Sequence, residues 1–163
     1  MVLDVWEHEP AIDAELLARV DLATPHVAGY SYDGKVNGTR MVLAALCRHF
    51  GLERDWDPAP RMPRPPCPHV ALPAGLTVDE AIRRAMLAAY DIEADDARLR
   101  EMLRMPADGR GGYFTSLRRA YPVRREFPET TVELSAPDPD VEAALRGLGF
   151  PTRYAASEAP SGH

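Results

Sequence analysis

The sequence predicts an α/β chain in two units, joined by a long helix and a proline-rich connector. Three observations lead there. Short β-branched apolar runs alternate with helical periodicity in the first fifty residues. The stretch "DWDPAPRMPRPPCPH" carries six prolines between Asp55 and His69 and has neither period. Beyond it, helix and strand patterns recur in mixed order, as in a small α+β unit.

The elements follow in order. "MVLDVW" reads as a buried strand with Asp4 near its end, and such a strand in a parallel sheet needs a neighbour on each side. "DAELLARV" is a helix of one or two turns, with Asp13 as N-cap. "DLAT" is a second short strand, followed by the loop "PHVAGYS". Ser31 can cap a long helix whose first turn holds Asp33. Val42, Leu43, Leu46, Cys47 and Phe50 give that helix one apolar face, and Gly51 stops it. Gly34 and Gly38 share a face near its start, which fits either a close approach by backbone or ligand or a frayed first turn.

After the connector, "HVALP" is a candidate strand. "LTVDEAIRRAMLAAYDI" is a helix with Thr77 and Glu80 as a capping box. "EADDARLREMLRM" is a helix ended by Pro106, and "ADGRGG" is a loop. "YFTSLRRAYPVRREF" is helical up to Tyr121, where Pro122 stops it. "TTVELS" alternates as a strand, and "DPDVEAALRGLGF" is a last helix capped by Asp138 or Asp140. The expected organisation is residues 1–30, a connecting helix over 31–52, a linker over 53–68, a second domain over 69–153, and a small polar tail over 154–163 that is disordered.

Composition bounds the function. With 163 residues, 45% of them hydrophobic, the chain can bury a core. A net charge of −6 argues against a nucleic-acid or anionic-membrane surface as its main business. Cys47 and Cys67 form no CxxC pair, so neither a disulfide framework nor a metal site is expected, and a reducing cytoplasm fits. No apolar run approaches the ~18 residues a membrane span needs, and the N-terminus has no signal-peptide pattern. Lys35 is the sole lysine, which reads as composition bias towards arginine.

The candidate chemistry lies in "LDVWEHEP" and "TPHVAGYSYDGK". Histidine can take and return a proton near neutral pH, and a carboxylate can orient its ring. If the two strands are neighbours, their following loops share one sheet edge, the edge where open α/β sheets bind ligands. Glu9, or Glu7, could then meet His26. By spacing alone, a lone His beside Gly and Pro is more often a satisfied loop histidine. The arginines Arg118, Arg119, Arg124 and Arg125 could hold a phosphate or a nucleic acid. In an acidic chain, beside Tyr121 and Phe127, they are expected as an interface or a structural ion-pair set. Cys47 is expected in the core, and no role falls to His8, His49, His69 or His163.

The wording of these segments resembles the catalytic-domain end of the D-isomer-specific 2-hydroxyacid dehydrogenases. There a D-V-x-x-x-E-P glutamate pairs with the histidine of a T-P-H loop, which correspond here to Glu9 and His26. The resemblance implies that residues 1–30 end a Rossmann-type NAD-binding domain and that NAD is the cofactor. His26 would take the hydroxyl proton of a 2-hydroxy acid, and Glu9 would hold its ring. Asp4 would stand near the nicotinamide, Gly29 would let the backbone approach NAD, and Tyr30 would contact the substrate. The plain alternatives are a turn glycine at Gly29 and a packed loop aromatic at Tyr30. The variant "HVAGYSYDGKVNGT", with the C-terminal "GYFTSLRRAYPVRREF" and "LRGLGF", is similar to a branch that oxidises a phosphorylated 2-hydroxy acid in pyridoxal 5'-phosphate biosynthesis. Its C-terminal domain, here 69–153, makes a homodimer.

The sequence departs from that family in two ways. It contains no G-x-G-x-x-G, and "DGRGG" at 108–112 follows no strand. The arginine that clamps the substrate carboxylate would fall before Met1. The chain is therefore expected to be a C-terminal part, inactive alone. The rival expectations are a dimerisation module without activity and a fragment of a phosphoglycerate-type dehydrogenase.

Overall fold

A computed structural model describes residues 1–53 and 55–155. Two compact units emerge, and they are discontinuous in sequence. One comprises Met1–Pro63 and Asp91–Arg124; the other comprises Arg64–Tyr90 and the chain from Arg125 onward. These boundaries differ from the linear ones expected above, because residues 91–124 pack with the N-terminal segment. Linear reading could not show this, since Leu99, Met102 and Phe114 are spread over separate short segments and nothing local states which core they enter.

In the first unit, β1 (Val2–Leu3) and β2 (Leu22–Ala23) pair in parallel, Val2 opposite Leu22 and Leu3 opposite Ala23. Between them runs α1 (Ala14–Arg19), whose N-cap Asp13 accepts from the amides of Glu15 and Leu16. The first strand is shorter than expected and is not buried: Val2 and Val5 are exposed, and inward burial falls to Trp6. Among the described residues β1 has one partner strand, so half of it lacks cover.

The core of this unit gathers Trp6, Ile12, Leu17, Val20 and Ala23 with Leu99, Met102 and Phe114. The last three come from α4 (Ile92–Arg100), the single 3-10 turn after it, and α5 (Ala107–Arg119). Polar contacts dock α4 as well. Asp96 accepts from the Ala23 amide at 2.7 Å and from Arg100 Nε at 2.7 Å. Arg100 in turn donates to the carbonyls of Leu17 (3.0 Å) and Val20 (2.8 Å) at the C-terminal end of α1. Those carbonyls have no partner within so short a helix, which is why a bidentate cation serves there.

The "ADGRGG" loop does not exist: those residues open α5. Three glycines in one helix disfavour it by roughly 1 kcal/mol each, but Phe114 and Leu117 anchor the same helix in the core. Space does not demand glycine at Gly111, where an added methyl makes only ordinary van der Waals contact. A methyl added there would touch Pro10, 3.6 Å from both its ring and its carbonyl oxygen. The next helix end comes at Arg119, just short of Tyr121.

The long helix α2 (Tyr32–Phe50) forms as expected, with the Ser31 hydroxyl accepting from the Gly34 amide and Gly51 closing it at φ 65°. The first turn is capped, which removes the frayed-turn reading of Gly34 and Gly38. A methyl on Gly38 would meet nothing within 4 Å. Its apolar face is largely open: Cys47 is buried, whereas Val42, Leu46 and Phe50 are exposed. No helix among the described residues is long and apolar enough to cross a membrane, and none of their His, Cys, Asp and Glu side chains group for a metal ion.

The second unit is a three-stranded parallel sheet in the order β3 (His69–Leu72), β4 (Thr131–Leu134), β5 (Thr152–Tyr154). Packed with it are α3 (Val78–Ala89) and α6 (Pro139–Gly147), whose Ala81, Ala85, Val141 and Leu145 join Leu72, Val132, Leu134 and Phe150 in the core. Both sides of the Thr77–Glu80 capping box are made. Asp138, not Asp140, caps α6. Strand β5 corrects the expectation for the tail, because Tyr154 pairs opposite Leu134. Three residues carry no periodic signal, and pairing with β4 alone defines them. Residues 156–163 of the expected disordered tail lie outside the described residues.

Phe114→Ala is expected to destabilise the first unit by about 3–5 kcal/mol, the usual range for emptying a buried aromatic site. Urea denaturation followed by tryptophan fluorescence measures it; an unmoved midpoint would remove Phe114 as the anchor of α5.

Candidate active site

The loops after β1 and β2 leave the same edge of the two-stranded sheet, and the parallel register brings Glu9 and His26 together. His26 Nδ1 and Glu9 Oε2 are 2.9 Å apart. The other carboxylate oxygen, Oε1, accepts from the Trp6 amide at 2.9 Å, so Glu9 is fixed at both ends. Trp6 is itself tied across the strands, its indole N–H donating to the Thr24 carbonyl at 2.9 Å. Glu9 is the more sheltered partner (18% exposed), and His26 is 43% exposed.

This geometry selects a tautomer. A carboxylate accepts, so Nδ1 carries the proton and Nε2 presents a lone pair. Nε2 has no hydrogen-bond partner among the described residues. The backbone of His26 is left-handed, φ 55°. Such a conformation in a non-glycine residue is unfavourable by of order 1–3 kcal/mol and persists where its surroundings enforce it.

Two opposite charges enforce it. Asp4 Oδ1 accepts from the Val27 amide and the Thr24 hydroxyl, both at 2.7 Å, and Oδ2 accepts from the Ala28 amide at 3.0 Å. Arg124 Nη2 donates to the carbonyls of the same two residues, Val27 at 2.8 Å and Ala28 at 2.7 Å. The loop is thus held by its amides from one side and by its carbonyls from the other. Charge-assisted hydrogen bonds of this kind are worth about 1.5–3 kcal/mol each. Arg124 also returns the chain to the long helix, its carbonyl accepting from the Tyr32 amide at 2.8 Å.

Behind Arg124 stands Tyr121, whose hydroxyl donates to the buried Asp95 at 2.6 Å and accepts from Arg124 Nη1 at 3.3 Å. The Tyr121 ring meets Tyr30 edge-on, centroids 5.6 Å apart. Tyr30 sits next to His26 because its amide closes a turn on the Val27 carbonyl at 2.9 Å. Two cations flank its ring: Lys35 Nζ at 4.0 Å from the centroid and the Arg118 guanidinium at 5.5 Å.

The structure therefore brings His26, Glu9, Asp4, Gly29 and Tyr30 into one place. Asp4 acts here on the loop; its carboxylate is engaged by three donors. Gly29 does not need a left-handed backbone, and a methyl there would meet nothing within 4 Å. The arginines separate by function. Arg124 holds the loop, and Arg125 pairs with Glu129 at 3.0 Å in the second unit, which follows the ion-pair expectation. Arg118 has no hydrogen bond or ion pair among the described residues. Sequence reading singled out Arg124 only as one of an arginine cluster beside Tyr121, and missed its hold on the loop and the support of Tyr121 and Asp95 behind it. No local signal could have found them, since about a hundred residues separate Arg124 from the loop it holds.

Comparison with known proteins follows the same lines. The domain family described as "Domain of unknown function (DUF3410)" matches residues 61–149. Three curated relatives carry the name erythronate-4-phosphate dehydrogenase. The one from Marinobacter nauticus is 45% identical over 150 residues, 92% of this chain and 39% of the relative. Those from Hahella chejuensis and Cellvibrio japonicus are 40% and 44% identical, over 92% of this chain and 39–40% of the relative. The chain spans about two fifths of the length of the curated relatives it matches.

Arg124→Met removes both carbonyl contacts and is expected to speed amide exchange at Val27 and Ala28 by about 10- to 100-fold, the equivalent of one or two charge-assisted bonds. Hydrogen-exchange NMR reads it directly. Unchanged protection at these two amides would show that Arg124 does not hold the loop.

Proposed function

Since this chain belongs to the DUF3410 family and resembles a portion of erythronate-4-phosphate dehydrogenases, we infer that it carries the proton-handling half of an NAD-dependent 2-hydroxyacid dehydrogenase acting on 4-phosphoerythronate. The observation that carries this reading is the 2.9 Å contact between His26 and Glu9, with the His26 side chain 43% exposed. On this reading residues 1–30 end a Rossmann-type NAD-binding domain, and Gly29 would let the backbone approach the nicotinamide. When bound, NAD would supply the hydride acceptor.

The chain's own residues account for the proton. Nε2 of His26 accepts the hydrogen of the 2-hydroxyl as the C2–H bond gives up its hydride, and the C2–O bond becomes a carbonyl. The alcohol is oxidised by two electrons to the 2-oxo acid, and the proton stays on the imidazole. Glu9 acts as a positioning residue: it keeps Nδ1 protonated and offsets the charge the ring acquires. Asp4 and Arg124 act one step further back by holding the loop. No G-x-G-x-x-G occurs in the sequence, so the pyrophosphate cradle and the carboxylate clamp come from elsewhere in the working enzyme, and the isolated chain turns nothing over.

The placement of residues 69–153 in a homodimerisation role, and of the whole in pyridoxal 5'-phosphate biosynthesis, belongs to the same reading. It rests on relatives that match over nine tenths of this chain.

A chimera tests the catalytic part. This chain replaces the matched stretch of the Marinobacter nauticus enzyme, and NADH formation from 4-phosphoerythronate is followed by absorbance. Turnover is expected, reduced about 10²- to 10⁴-fold by His26→Gln, the usual contribution of a general base. A His26→Gln chimera as fast as its parent would end the assignment. For the assembly, sedimentation equilibrium of the chain should give a dimer mass, and a monomer at high concentration would count against dimerisation.

A further inference from the structure

Among the described residues Asp95 is the one buried carboxylate, 1% exposed. Taking a carboxylate out of water is unfavourable unless donors meet it. Two do: the Arg98 guanidinium, and the Tyr121 hydroxyl at 2.6 Å. Arg98 stands on the same helix, α4, and neutralises the charge. Tyr121 comes from beyond the end of α5, so its bond to Asp95 fixes a phenol in space rather than a turn of helix. The fixed phenol makes two further contacts. Its oxygen accepts from Arg124 Nη1 at 3.3 Å, while Arg124 Nη2 holds the carbonyls of Val27 and Ala28. Its ring stands edge-on to Tyr30, at 89° and 5.6 Å between centroids. A hydroxyl that donates to a carboxylate is a better acceptor, so the bonds of such a chain reinforce one another. One side chain therefore reaches both parts of the loop, the turn after His26 through Arg124 and Tyr30 through its ring.

We propose that Asp95 and Tyr121 are positioning residues of the relay, which set the His26 ring and the Tyr30 ring jointly and touch no substrate. The proposal rests on the proposed function for the reaction, but the geometry it concerns belongs to the chain itself. Proton transfer demands such support, because a misplacement of about 1 Å caused far from the chemistry can lower a rate about a hundredfold. The two parts of Tyr121 act differently. Its hydroxyl acts on Arg124, and through the loop carbonyls on the place of His26 beside Glu9. Its ring acts on Tyr30. Loss of the hydroxyl alone therefore slows proton transfer, and loss of the ring also disturbs Tyr30. Asp95, Tyr121, Arg124, Tyr30, His26 and Glu9 all lie in the first compact unit, so the whole chain of contacts forms within one core.

NMR of the 163-residue chain follows the Nδ1 proton of His26, whose exchange with water is slowed by its bond to Glu9. That exchange is expected to be about 10- to 100-fold faster in Tyr121→Phe. In Asp95→Asn the increase is smaller, because an amide oxygen still accepts from Tyr121. Tyr113→Phe is the control. It too removes a hydroxyl bond between α5 and α4, from Tyr113 to the Arg98 carbonyl at 2.8 Å, and it is expected to leave the Nδ1 proton unchanged. Amide spectra establish that each variant is folded, and Tyr121→Phe, which keeps the ring and its packing, carries the test if Asp95→Asn is not. In the chimera, Tyr121→Phe is expected to lower kcat about tenfold at constant KM, and Tyr121→Leu to raise KM as well. An Nδ1 proton as slow in folded Tyr121→Phe as in the parent overturns the proposal. So does equal acceleration in Tyr113→Phe, or a Tyr121→Phe chimera with the parent kcat. The two readings fail separately: a chimera that turns nothing over removes the reaction and leaves the Nδ1 result to decide the positioning.

Discussion

The loop that carries His26 is held between two opposite charges, and the rest of the first unit is arranged to deliver them. Asp4 takes the amides of Val27 and Ala28, and Arg124 takes their carbonyls. A peptide segment gripped on both its donors and its acceptors has few alternative conformations. That allows a histidine to stay in a left-handed backbone with its ring against Glu9. Each charge comes from a different part of the fold: Asp4 from the end of β1, Arg124 from just past α5. The sheet, α4 and α5 therefore serve the loop by fixing where those two residues stand.

In the proposed function, positioning and reactivity are divided among different residues. Glu9 is held by the Trp6 amide and holds His26. Tyr121 and Asp95 back up Arg124. None of these needs to touch a substrate. In that reading the groups left to meet a substrate are His26 Nε2 and the loop around Tyr30. This division explains why the arginine cluster read as one feature in the sequence has separate fates. Arg124 is structural support for the loop, Arg125 pairs with Glu129 in the other unit, and Arg118 is left with an unmet donor.

The segment from Asp91 to Arg124 shows where linear reasoning failed. Its two helices bury few residues each, Leu99 with Asp95 in one and Phe114 in the other, and a few scattered apolar positions do not state what they pack against. Leu99, Met102 and Phe114 proved complementary to Trp6, Leu17 and Val20, and Arg100 satisfies carbonyls at the end of α1. The same packing turned the glycine-rich "ADGRGG" into the first turns of a helix, overriding a local preference of roughly 1 kcal/mol per glycine.

Local chemistry determined by the sequence alone was legible: caps at Asp13, Ser31 and Thr77, the stop at Gly51, and the strands around Val70 and Val132; spacing left Glu7 and Glu9 both open as partners of His26, and only the family resemblance singled out Glu9. Each cap, stop and strand depends on residues within a few positions. Tertiary structure alone decided which core receives 91–124, that Asp4 and Arg124 share one loop, that three residues at 152–154 complete a sheet, and that Arg118 keeps a buried donor unpaired. Those outcomes depend on which surfaces meet across tens of residues, and burial and hydrogen-bond satisfaction are properties of that meeting, not of any stretch of chain.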